Sequence, residues 1–292
     1  MGLVIFRAGT IPTRTLGVVV NLLKSSAVVT LLLAAAPPLA AQVPPAVAAE
    51  RAAFAQWLSR AAVSPFAAVA QVPVGAGLRL GPADADLALP GIAPHRVSIT
   101  RGAIMLAGDE GRRALPRGRA VRLAPYVLVA GGASERPVIT VFDSSRARRA
   151  PQWYDYDRAL VFAGPLVPPD STHSRRVLAP DGVEVLAEDA GFVIIPVNGK
   201  PVRLSVMRLP DPASGESDLE IYFRDATNGR GTYPAGRFVS LTPAGSGRWQ
   251  LDFNRARNPF CSYSSAYACP APWRGNSIPA EIRAGEQYHP DE

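Results

Sequence analysis

The chain is poor in the side chains on which most enzyme chemistry depends. Its 292 residues include only three histidines, His95, His173 and His289, and these are scattered. No His-Glu-x-x-His helix and no Gly-x-Ser-x-Gly elbow occurs, which removes the usual zinc-peptidase and serine-hydrolase arrangements. Cysteine is nearly as scarce. Cys261 and Cys269 stand alone, and two thiolates without nearby histidines fall short of a metal's ligand set, so no metal is expected. Lysine is represented by Lys24 and Lys200 against 29 arginines, a bias that reads as genome composition, and no nucleic-acid partner is expected. Gly75-x-Gly77 and Gly229-x-Gly231 lack the strand–turn–helix setting of a dinucleotide loop, and no cofactor is expected.

Long apolar runs are lacking too, apart from residues 27–36. That run follows Arg7, Arg14 and Lys24 with no acidic residue among the first 41, and it ends in Pro37-Pro38-Leu39-Ala40-Ala41-Gln42. The layout is that of a secretory signal peptide cleaved after Ala41. A bilayer-spanning helix needs about 20 apolar residues, and Asn21, Lys24, Ser25 and Ser26 interrupt this one. The expectation is therefore a signal peptide over 1–41, no stable membrane span after cleavage, and a periplasmic or extracellular protein.

What remains, residues 42–292, carries 28 basic and 24 acidic side chains, too mild an excess to name a partner. With 48% hydrophobic residues in the whole chain, the length suits one large β-rich domain. An amphipathic helix is expected at about 46–63, with Val47, Phe54, Trp57, Leu58, Ala61 and Ala62 on one stripe and Pro65 beyond its end. Trp57 reads as a core or sheet-covering side chain. From Val74 onward short β-branched and aromatic segments recur between Gly, Pro and Asp turns. Strands are expected at 77–80, 96–99, 103–106, 120–123, 126–130, 138–142, 159–163, 183–186, 192–197 and 202–207. Asn198-Gly199 between the last two signals a hairpin, because both central positions of the favoured turn need positive φ. The fold class read from this rhythm is mainly β, an antiparallel sandwich or partly open barrel with one N-terminal helix. The best loops are 165–174 and 210–216. Arg146, Arg148 and Arg149 suit a solvated loop face, with an anion site as the alternative.

The densest polar chemistry lies late, over residues 219–286. In the strand 219–225, Leu219, Ile221 and Phe223 share one face, and Asp225 has the same parity. A carboxylate there needs partners, and Thr227, Asn228 and Arg237 are the nearby suppliers. Further on, Trp249, Leu251 and Phe253 form one side of a strand and Gln250, Asp252 and Asn254 the other. The coil that follows, 258–286, is expected to fold over that polar side and to make a pocket from Asp252, Asn254, Asn258, Tyr263, Asn276 and Glu286. The alternative is that the amides satisfy the coil's own backbone. In an oxidising compartment Cys261 and Cys269 read as a disulfide that pins this coil, with a metal site or a reactive thiol as rivals.

Several of these residues fall into spaced blocks: Asp225-x-Thr227-x-Gly229, Thr232-Tyr233-x-x-Gly236-Arg237, Asp252-Phe253-Asn254-x-Ala256-x-Asn258-Pro259-x-Cys261, Cys269-Pro270-x-Pro272 and Ala284-Gly285-Glu286. In them the chain resembles the Domain of Unknown Function 1684 family of bacterial and archaeal proteins. The resemblance is specific here and looser upstream; reaching back to the helix near Ala46, it is expected to cover the whole exported part, residues 42–292. Trp273 stands where a second proline is common, and Gln287 where a lysine is expected. The family has no established activity, so the resemblance implies relatedness and little chemistry. Three functions follow from the residues. One is binding of a small polar or anionic ligand by Asp225, Thr227, Tyr233, Arg237, Asp252, Asn254, Asn258, Tyr263 and Asn276. Another is hydrolysis by paired carboxylates drawn from Asp225, Asp252 and Glu286. The third is an envelope structural domain that binds nothing.

Overall fold

The computed structural model describes residues 42–210 and 216–290. The signal peptide expected over 1–41 lies outside these residues, as does most of the loop expected at 210–216. Helix α1 (Pro45–Arg60) starts on a proline whose fixed φ suits a first helical turn, and it buries Val47 and Leu58. It ends three residues earlier than the stripe implies. Ala61 turns extended, with φ −66° and ψ 137°, and buried Ser64 donates its hydroxyl to the Leu58 carbonyl. No helix among the described residues is long and apolar enough to cross a membrane.

Nine strands follow: β1 (Ala68–Pro73), β2 (Leu78–Gly81), β3 (Leu87–Ala88), β4 (His95–Thr100), β5 (Ala103–Gly108), β6 (Gly111–Ala114), β7 (Ala120–Leu123), β8 (Tyr126–Ala133) and β9 (Arg136–Asp143). They form two sheets, in the orders β1-β9-β8-β7 and β3-β2-β4-β5-β6. Leu80, Val97 and Leu106 of one sheet share a core with Leu128, Ile139 and Val141 of the other, which is sandwich packing. Among the described strands only β2 and β3 pair in parallel. The alternation signal missed β1, β3 and β6; β6 reads Gly-Arg-Arg-Ala and is exposed throughout, so no apolar face marks it.

The second half is one seven-stranded antiparallel sheet. Its strands are β10 (Val161–Pro165), β11 (Ser174–Leu178), β12 (Glu184–Val197), β13 (Lys200–Pro210), β14 (Ser217–Phe223), β15 (Arg237–Pro243) and β16 (Arg248–Asp252), in the order β10-β16-β15-β14-β13-β12-β11. The Asn198-Gly199 hairpin forms as expected. Val197 pairs with Lys200, and both turn residues have positive φ, 49° and 73°. The segments 183–186 and 192–197 belong to one strand, β12, interrupted by a bulge between Asp189 and Gly191. On one face Ile221, Phe223, Leu204, Val239 and Leu251 pack under Ile278, Ile282 and Ala284 of the C-terminal coil. The other face carries Met207, Tyr222, Phe238 and Trp273. The mainly β reading with one N-terminal helix therefore holds, and none of the three sheets closes into a barrel.

Candidate functional site

Asp225 lies just past the end of β14, on the parity of Ile221 and Phe223, and its carboxylate is enclosed. It accepts hydrogen bonds from the Thr227 amide (2.8 Å), the Thr227 hydroxyl and the Ile282 amide (3.2 Å). Its other oxygen lies 2.9 Å from Arg237 Nη2, and both side chains of this ion pair are fully buried. Arg237 also donates to the carbonyls of Ile282 (2.8 Å) and Ala284. Burial pulls the guanidinium below its ordinary pKa, and the Asp225 charge opposes the shift. These bonds clamp the final coil to the sheet. The Tyr233 hydroxyl packs against both cysteine sulfurs, at 3.4 and 3.3 Å. Cys261 and Cys269 are disulfide-bonded, with Cα atoms 5.4 Å apart.

The single pocket expected around Asp252 is replaced by separate hydrogen-bonded knots. Strand β16 stops at Asp252, and residues Phe253–Arg255 wind into a 3₁₀ turn, so Asn254 is not on the strand face. Asp252 caps that turn, accepting from the Asn254 amide (2.9 Å) and Asn254 Nδ2 (2.8 Å). Asn254 in turn pairs with the backbone of Asp157 through both ends of its amide, each at 2.8 Å. Asn276 splices the coil to the sheet through Ser205 N (2.8 Å), Ser205 O (2.9 Å) and Tyr222 O (3.1 Å). The physical reason is common to all of them. Each amide finds main-chain groups that lack a ladder partner, Asn254 beside the turn after Asp157 and Asn276 where the β13–β14 pairing has stopped at Met207 and Glu220.

Of the six residues expected to form that pocket, Asn258, Tyr263 and Glu286 line a small cavity of about 50 Å³. The Asn258 amide donates to Glu286 (2.9 Å), and the Tyr263 hydroxyl lies 2.6 and 2.7 Å from its two oxygens. Burial raises the Glu286 pKa to about 7 against those two hydrogen bonds. Burial and the Glu286 charge together push Tyr263 well above its ordinary value. Asp225, Asp252 and Glu286 thus sit in different knots, and no pair of them shares a cleft. Arg146 and Arg148 are spent on the carbonyls of Ala68, Ala61 and Ser144, while Arg149 lies 5.4 Å above the Phe66 ring.

A larger cleft, about 420 Å³, lies elsewhere, between α1 and strands β14 and β15. Phe54 and Trp57 of α1, their ring centroids 5.6 Å apart, form one wall, and Phe260 stands 5.7 Å from Trp57. Trp57, read from sequence as a covering side chain, is half-buried and faces this cleft. Phe238, Ser240 and Glu220 line the sheet side, and Asn258 the coil side. Glu220 pairs across the strands with Ser240, whose hydroxyl donates to it at 2.6 Å. Its pKa rises to about 7, chiefly through burial; Ser240 and Arg257 oppose the shift and Asp218 reinforces it. Arg255 and Arg257 also line the cleft, and they grip the two oxygens of Glu50 at 2.6 and 2.8 Å.

Glu220 was missed from sequence. Its parity opposite Ile221 and Phe223 reads as solvent-facing, and nothing local says that α1, some 160 residues earlier in the chain, roofs that side of the sheet. The signal in hand was the helix stripe holding Phe54 and Trp57, two aromatics on a helix that had to cover something.

Residues 149–287 match the model of a family described as "Protein of unknown function (DUF1684)". The matched segment begins after β9 and stops short of the upstream helix toward which the resemblance was expected to reach. No curated protein matched the chain. Among solved structures, the solution NMR structure of an uncharacterized protein from Haloarcula marismortui is similar, with 26% identity and a TM-score of 0.41. The alignment covers 47% of this chain and 76% of that one.

Proposed function

We propose, from the premise that residues 149–287 belong to this family of unknown function, an exported domain that binds a small anionic ligand with an apolar body. The ligand enters the cleft between α1 and strands β14 and β15. One observation carries this reading: a concave, aromatic-walled space holds two arginines that already converge on one carboxylate, that of Glu50. Convergent guanidiniums suit carboxylate, phosphate or sulfate groups, and apolar walls with a few placed polar groups are what small-molecule sites have in common. Of the nine ligand-binding candidates named from sequence, Asn258 lines the cleft. Asp225, Arg237, Asp252 and Asn254 build its frame, by fixing the coil that carries Arg255, Arg257 and Phe260. Export rests on the pattern of residues 1–41 and is in keeping with the cysteine pairing.

The test is calorimetry and thermal shift with a panel of small aryl carboxylates. Arg257→Ala, which leaves Arg255 in place, is expected to weaken binding by roughly tenfold or more, the effect of one lost charge-assisted hydrogen bond. A second reading, an envelope structural domain with no ligand, draws on the amides of the polar motif being taken up by main-chain bonds. It gains if no member of the panel shifts the melting of the wild-type protein.

A further inference from the structure

We propose that the Glu220 end of this cleft is a hydrogen-bond donor site for an uncharged oxygen. The ligand is then two-ended, with an acid group at Arg255 and Arg257 and a carbonyl, hydroxyl or ether oxygen at Glu220. The inference rests on the binding reading above and specifies its ligand.

The argument starts from what surrounds the Glu220 carboxyl. One oxygen accepts the Ser240 hydroxyl at 2.6 Å. Among the described residues no arginine or lysine forms an ion pair with it. The two cleft arginines each give one Nη to Glu50, Arg257 through Nη2 at 2.8 Å and Arg255 through Nη1 at 2.6 Å, and Arg255 Nε also stands 3.5 Å from Asp252; the second Nη of each is what the ligand's acid group takes up. Pro180, Asn258 and Phe260 bring no charge to the cleft. Strand β14 adds Asp218, a like charge; β15 adds the neutral Ser240; the segment after β16 adds the two arginines; and α1 adds Glu50, a further negative charge, behind them. A carboxylate in a cleft walled by aromatic rings, near a like charge and without its own cation, is more stable with its proton on. The pKa near 7 agrees with this geometry.

A protonated carboxyl differs from a carboxylate in what it recognises. It presents one O–H donor while its other oxygen still accepts from Ser240. A neutral ligand oxygen satisfies that donor, whereas an ammonium or amide N–H prefers the ionised form. Loss of the proton leaves lone pairs facing lone pairs and sets a negative charge beside an anionic ligand. Affinity for such a ligand therefore falls as pH rises through the Glu220 titration.

Two isosteric probes separate the possibilities, para-acetylbenzoate, which carries a carbonyl oxygen, and para-isopropenylbenzoate, which carries a methylene there. Calorimetry on the full chain at about pH 6 is expected to favour the ketone by roughly fivefold or more, and the preference to vanish at about pH 8.5. Glu220→Gln replaces the acid by an amide that still accepts from Ser240 and donates at every pH. It is expected to keep the preference at both pH values, with unchanged circular dichroism. Equal binding of the two probes by the wild type at about pH 6, a preference that persists at about pH 8.5, or a wild-type pH profile in Glu220→Gln overturns the inference and leaves the binding reading intact. Failure of both probes to bind at any pH overturns both.

Discussion

At the scale of single residues, the Asp225 carboxylate acts as a structural clamp, accepting from Thr227, Ile282 and Arg237. Asp225 and Arg237 form an ion pair with no solvent contact, and such a pair is worth less as net stability than as a constraint. Removing one member is another matter, because it strands the other charge in the core. Asp225→Ala is expected to lower unfolding free energy by about 3–5 kcal/mol, read from urea denaturation, with the final coil losing amide-exchange protection first. A loss below about 1 kcal/mol, the size of an exposed pair, is incompatible with the buried clamp. Gly285 shows the same logic in its backbone. Its φ is 77°, and a Cβ there would sit 2.6 Å from the Ala256 carbonyl oxygen, so the Ala-Gly-Glu block brings Glu286 close enough for its amide to donate to that carbonyl at 2.8 Å. The partner of Asp225 could be named from strand parity and proximity in sequence. That Asp225 also ties down Ile282 could not, since no local pattern tells a coil where to dock.

Among elements, the coil after β16 is the least regular part of the second half, and it is held by side chains in place of a strand ladder. Asn276 bonds three main-chain groups of β13 and β14, Asn254 bonds two of residue 157, and the disulfide closes the turn between Cys261 and Cys269. Closing a loop of this length contributes about 2–3 kcal/mol by restricting the unfolded chain. Reduction of the folded protein is expected to lower its stability by that amount. Mass spectrometry of the same material should give a chain starting at Gln42 that gains two hydrogens with reductant; free thiols before reduction, or a chain still carrying residues 1–41, contradict the disulfide or the cleavage. Helix α1 was legible because its apolar positions repeat at helical spacing. What it covers was not, and the cleft it makes with β14 and β15 joins parts of the chain far apart in sequence.

For the molecule as a whole, two acids among the described residues have pKa values raised toward neutrality. Glu220 and Glu286 rise from 4.5 to about 7 on burial. A carboxyl whose folded pKa is raised binds its proton more tightly in the native state. The associated stability is complete below the unfolded value of 4.5 and is lost as pH rises through about 7. Urea midpoints are therefore expected to fall between about pH 5 and pH 8, and Glu286→Gln to flatten part of that slope. A midpoint that climbs over this interval contradicts the assignment. The exposed Asp86 and Glu281, lowered by hydrogen bonds to Arg79 and Arg283, act with opposite sign and below this window.

Residue order alone determined the mainly β class, the N-terminal helix and the Asn198-Gly199 turn, because period, propensity and positive φ are local properties of a few neighbouring residues. It also marked the polar blocks and the cysteine pair. Tertiary structure decided where those blocks point: Asp252 caps a turn, Asn254 and Asn276 satisfy distant backbone, and Glu220, with the plainest position in the sequence, faces a cleft. Burial and electrostatic environment are set by segments that meet only after folding, so the same carboxylate reads as surface in one dimension and as a titrating group near neutrality in three.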